Sequence, residues 1–229
     1  MRQLASLAAV AAASIALGAC GSGGDTVAAN GEQVVTGPQI SSAQPPWPPN
    51  YTQLARRARL RGIPEPGSEK FHWHEQLRIY RDGLLIDVPS LIGLDVKHKV
   101  AVGVHTHEDT PGVIHMEGDK PFKATLGDFF AMWGVKFGGG WLGGLHAGGK
   151  DRLRTFVNGR EIADPAAHVL RRNDNIVVAF GSTEDFPRRP DTTELQKANG
   201  QKGGSSCSLN KSSGKRPKSC VMELFKKRS

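Results

Sequence analysis

Three segments of this chain alternate apolar and polar residues with period two, and no other feature restricts its fold as much. They are "FHWHEQLRIY" (71–80), "KVAVGVHTH" (99–107) and "VIHMEG" (113–118). Alternation in β-branched and aromatic residues describes strands that bury one face. Phe71, Trp73, Leu77 and Ile79 take the core parity in the first segment, Val100, Val102, Val104 and Thr106 in the second, and Ile114 and Met116 in the third. The opposite parity carries His72, His74, Gln76 and Arg78, then Ala101, Gly103, His105 and His107, then Val113, His115 and Glu117. Strand side chains alternate between faces, so five of the eight histidines share one face if these strands are neighbours.

Turn chemistry extends the pattern. Asp82-Gly83 joins the first strand to "LLIDVP", and Asn158-Gly159 joins "RLRTFV" to "REI"; both dipeptides suit two-residue hairpin turns. "NIVVAFG" reads as a last strand. "TLGDFFAMWG" reads as a helix capped by Thr125 with Asp128, apolar at Leu126, Phe129, Phe130 and Trp133, and ended by Gly134. "GGGWLGGLHAGG" reads as a flexible loop; it lacks the Gly-Lys-Ser/Thr ending of a phosphate loop. The expected class is α+β, mainly β: a small antiparallel or mixed sheet with one short covering helix, over residues 69–186. A lead-in, 51–68, contains a short basic helix from about Thr52 to Arg61, stopped by Gly62 and Pro64.

The flanks differ in composition. Residues 1–19 combine Arg2, a short apolar run and small residues before Cys20, which is the arrangement of a signal peptide. The Leu17-Gly18-Ala19-Cys20 ending resembles a bacterial lipobox, and that resemblance implies lipidation at Cys20 and anchoring to the outer face of the cell membrane. Residues 20–50, Gly/Ser-rich and then Pro-rich, read as a tether. The net charge of +8 comes wholly from residues 187–229; residues 1–186 contain 19 basic and 19 acidic side chains. Basicity confined to a tail does not describe a nucleic-acid-binding domain. The tail, poor in apolar residues, reads as disordered and suited to an anionic envelope surface. Cys207 and Cys220 lie within it, where an exported chain can form a disulfide.

The domain itself contains no cysteine, so a metal site there uses nitrogen and oxygen donors. His72, His74, His105, His107 and His115 are the candidate ligands, and zinc or copper suits imidazole. Glu117, Asp109 and Glu108 are candidates for an extra ligand or for orienting an imidazole N–H, as is Glu75. Two other readings stand beside this one. The same ligands can serve a metal-dependent enzyme that acidifies bound water, or the histidines can form a metal-free surface patch of an interaction domain. His98 and His168 read as exposed or structural, and His146 as a residue of the glycine loop able to reach the site.

The ordered set H-x-H-x-x-L-x-I-Y-x-D-G, V-P-x-x-I-G, H-T-H-x-D, G-V-I-H-x-E, L-G-x-F-F-x-x-W-G and V-N-G…I-V-V-x-F-G runs from Phe71 to Gly181. It resembles an uncharacterised family of exported or lipid-anchored bacterial and archaeal domains. That resemblance implies an extracytoplasmic location and brings no activity. One departure is visible: after His105-Thr106-His107, where the family carries an acid directly, this chain has Glu108 and then Asp109.

Overall fold

The computed structural model describes residues 25–200. Its centre is a seven-stranded mixed sheet. The strands are β1 (Phe71–Arg81), β2 (Leu84–Ile86), β3 (Val104–Thr106), β4 (Val113–Gly118), β5 (Arg152–Val157), β6 (Arg160–Ile162) and β7 (Asn175–Gly181). Across the sheet the order is β6-β5-β7-β1-β4-β3, with β2 also paired to β1. Every pairing is antiparallel except β1 with β7. The long β1 has two partners on one side: β4 opposite 71–76 and β2 opposite 79–81. Both expected hairpin turns form, with positive φ at Asp82 and Gly83 and again at Asn158 and Gly159, as type I′ turns require.

One face of the sheet buries Leu77, Ile79, Val104, Ile114 and Met116 against helix α2 (Leu126–Trp133), as the alternation predicts. The helix begins on a capping box. Thr125 Oγ1 accepts from the Asp128 amide at 3.0 Å, and Asp128 Oδ2 accepts from the Thr125 amide at 2.7 Å. It ends on Gly134 at φ 81°. The strand expected over 99–107 is interrupted at Val102-Gly103, leaving a short pair of Leu94–Asp95 with Val100–Ala101 outside the main sheet. A side chain at Gly103 would sit 2.5 Å from the Glu117 carbonyl, so the chain passes there only as glycine.

Four expectations need correction. Residues 25–50 are not a free tether: Val34, Val35 and Trp47 are buried, and Val35 donates to the Phe137 carbonyl. Trp133 Nε1 donates to the Trp47 carbonyl at 3.0 Å, with the two indoles edge to face. The lead-in helix α1 (Leu54–Leu60) also belongs to the folded body, for Leu54, Arg57 and Ala58 are buried. Buried Arg57 donates to the Ala131 carbonyl and to the carbonyls of Asn50 and Thr52, joining α1 to the end of α2. The glycine segment is a three-stranded antiparallel sheet of Phe137–Gly138, Trp141–Leu142 and Leu145–His146, with Phe137, Leu142 and Leu145 buried.

The fourth correction concerns the basic tail. Residues 187–200 are ordered: a strap runs across the second sheet face and ends in helix α3 (Thr193–Gly200). Gln76 Nε2 donates to the Asp191 carbonyl, Asn175 Nδ2 donates to that of Pro190, and Leu195 and Ala198 bury against Val113. The signal peptide, Cys20, Cys207 and Cys220 lie outside the described residues.

Candidate metal centre

The register of β3, β4 and β1 brings the histidines together. His115 stands between His105 on one side and His74 on the other, and His72 lies opposite Glu117. His107 follows β3 directly, in phase with His105. The donor atoms of His105, His107, His115 and Glu117 all lie within 4.8 Å of one another, and those of His72, His74 and His115 meet the same limit. His115 belongs to both groups.

Glu117 Oε1 is the hub. It lies 3.1 Å from His72 Nε2, 3.5 Å from His105 Nε2, 3.5 Å from His115 Nδ1 and 3.9 Å from His107 Nε2. His105 Nε2 and His107 Nε2 are 3.1 Å apart. Zinc bound tetrahedrally at roughly 2.0–2.1 Å separates its ligand atoms by about 3.3–3.4 Å. The cluster therefore has dimensions near those of a coordination shell.

Outer partners settle which ring nitrogens face inward. The Val102 carbonyl can only accept, so the 2.8 Å contact puts the proton of His105 on Nδ1 and leaves Nε2 with its lone pair. Asn199 Nδ2 donates to Asn173 Oδ1 at 2.9 Å, which turns Asn199 Oδ1 toward His74 Nδ1 at 3.0 Å. His74 Nε2 is then an acceptor, 2.9 Å from His72 Nε2. Thr110 Oγ1 lies 3.2 Å from His115 Nε2, leaving Nδ1 to face Glu117. A backbone carbonyl, an amide and a hydroxyl thus orient three of the five rings, the arrangement that fixes metal-binding imidazoles.

The cluster is enclosed, unlike the surface patch of the metal-free reading. His74, His105, His107, His115 and Glu117 are all buried, and His72 keeps 19% of its side chain exposed. Burial is the largest influence on most of the ring nitrogens. It lowers His74 to about 4, assisted by His72 and His107, lowers His107, and lowers His115 well below the ordinary imidazole range. For His72 burial pulls down but is outweighed by the hydrogen bond and charge of Glu117, so its pKa is raised. Burial would raise Glu117, but the surrounding imidazoles, His105 first and then His107 and His115, outweigh it and hold the carboxyl well below the usual carboxylate range. One carboxylate amid mostly neutral imidazoles is the protonation state in which these groups bind a metal.

The remaining candidates separate from the site. Glu108 is exposed. Asp109 sits at the rim, its carbonyl accepting from Lys197 while its charge acts on His107. Glu75 points to the opposite, apolar face, so it orients no imidazole; burial, followed by repulsion from Asp174, outweighs the neighbouring Trp73 N–H and raises its pKa well above the usual value. His98 is exposed beside Asp95 at 2.7 Å, and His168 is structural, 2.9 Å from Asp174. His146 stacks on Trp141 with ring centroids 4.0 Å apart, committed to the small glycine sheet. Thr110 and Asn199 carry no signal of this role in the sequence. No known protein family, curated protein or solved structure matches the chain.

Proposed function

We propose that this chain is a lipid-anchored extracytoplasmic protein that binds a transition metal, zinc or copper, for storage, sensing or delivery. The observation that carries the metal reading is the buried quartet His105, His107, His115 and Glu117, its donor atoms within 4.8 Å of one another. His105 Nε2 and His107 Nε2, 3.1 Å apart, need a proton or a cation between them. Imidazole and carboxylate donors without thiolate favour zinc(II) or copper(II). His72 and His74, sharing His115, add donors from which a bound ion can be passed or a second one held. The anchor reading rests on the lipobox-like Leu17-Gly18-Ala19-Cys20.

The test is metal content of the chain purified without a histidine tag, beside His105→Ala/His107→Ala. One equivalent of zinc or copper in the parent, lost in the variant while the circular dichroism of the fold persists, supports the reading. Absence of metal above background, together with thermal stability unchanged by added Zn(II) or Cu(II), overturns it.

A further inference from the structure

We infer that α1 is a membrane-docking surface, which seats the domain on anionic phospholipid beside its own lipid anchor. The inference rests on lipidation at Cys20, as proposed above. The chain leaves the described body at Asp25, and Asp25 is fastened. Its carboxylate takes a two-point ion pair from Arg61, the residue that caps α1, and accepts from the Thr36 amide at 3.3 Å. Arg61 is held in turn by Asp128 of α2 at 3.0 Å. Five residue steps separate Asp25 from Cys20, and fully extended they span at most about 16–18 Å. A diacylglycerol on Cys20 therefore keeps Asp25 within that reach of the headgroups, with the capped end of α1 one Asp25–Arg61 side-chain pair beyond it. The long tether that composition suggests is reduced to five residues.

The surface held there is suited to an anionic bilayer. Arg56 and Arg59 are exposed on one side of α1 together with Ala55 and Leu60, the latter 45% exposed. No acidic residue occurs from Tyr51 to Pro64; exposed Glu65 follows directly, and Asp25 and Asp128 are paired with Arg61. Val27, two residues after the fastened Asp25, is 68% exposed. Two guanidinium groups flanked by isolated apolar side chains fit the headgroup region of an anionic leaflet, where each basic residue strengthens attachment about fivefold. The unidentified partner is thus a lipid surface rather than a protein.

The test uses the full mature lipidated chain, with Cys207→Ser and Cys220→Ser so that Leu60→Cys alone takes an environment-sensitive fluorophore. It is reconstituted into phosphatidylcholine vesicles with or without about one-third phosphatidylglycerol. The expected result is a blue-shifted label, quenched by nitroxide lipids, only in the anionic vesicles. The signal should return to that of the aqueous label in Arg56→Gln/Arg59→Gln and in about 1 M salt, where charge interactions are screened beyond about 3 Å. Site-specific readout separates α1 from the basic tail, which can hold the chain to the vesicle without bringing position 60 into lipid. A label that stays aqueous in anionic vesicles, while mass spectrometry shows diacylglycerol on Cys20, overturns the docking and leaves the anchor standing. An unlipidated Cys20 on a chain recovered from the aqueous fraction overturns the anchor, and the docking with it.

Discussion

At the residue scale, metal binding depends on the groups behind the donors as much as on the donors. Thr110 and Asn199 each touch an imidazole nitrogen that faces away from the cluster centre. Thr110→Val, behind His115, should weaken metal affinity by about 10–100-fold while the sheet stays folded, measured by competition with a chelator of known affinity. His98→Ala, remote from the cluster, should leave affinity unchanged. Glu75 gives a separate prediction, for stability. Its folded pKa lies well above the ordinary carboxyl value of 4.5. A group raised in the folded state contributes stability that is fully present below its unfolded pKa and is lost as pH rises toward the folded one. Glu75→Gln should therefore gain stability relative to the parent from about pH 4.5 upward, read by urea denaturation across a pH series. A constant difference between the two proteins would contradict this. The buried His74, lowered to about 4, acts oppositely, its contribution being lost as pH falls below 6.5.

At the scale of elements, the strands that carry the site were legible and its cover was not. H-x-H with period two assigns both rings to one face, and the parity of Ile114 and Met116 assigns His115 and Glu117 to the same face; the register confirms both. The enclosure escaped because α3 has little intrinsic signal. "TELQKANG" offers only Leu195 and Ala198 as apolar anchors and stands next to a Lys-rich tail. Its position comes from tertiary contacts: Val113 beneath it, Lys197 on the Asp109 carbonyl, Asn199 on His74. Leu195→Asp should detach α3, and loaded metal should then pass to an external chelator at least about tenfold faster, since ring orientation and burial are lost together. Unchanged release would mean that α3 does not cover the route. The glycine segment misled for a different reason. Its glycines serve as positive-φ turns, Gly139 at 57°, Gly140 at 81° and Gly143 at 57°, between two-residue strands whose apolar residues fill the core.

At the scale of the molecule, α2 and the sheet make an apolar core on one side, and the strap and α3 enclose a polar, titratable cluster on the other. Composition misplaced the domain's limits because segments with few apolar residues join it through two or three anchors each: Val35 and Trp47 in residues 25–50, Leu54, Arg57 and Ala58 in the basic helix, Leu195 and Ala198 in the tail. Enclosure means that a bound ion stabilises the folded state alone, by about 2.7 kcal/mol at a free concentration one hundred times its dissociation constant. Thermal unfolding should therefore shift upward with metal in the parent and not in His105→Ala/His107→Ala. X-ray absorption spectroscopy of the zinc-loaded protein is the most direct test of the central claim. A first shell of nitrogen and oxygen at about 2.0–2.1 Å, with the outer scattering of three imidazoles, is the expected result. A shell of oxygen alone without imidazole scattering, or one containing sulfur, would contradict the assignment of His105, His107, His115 and Glu117.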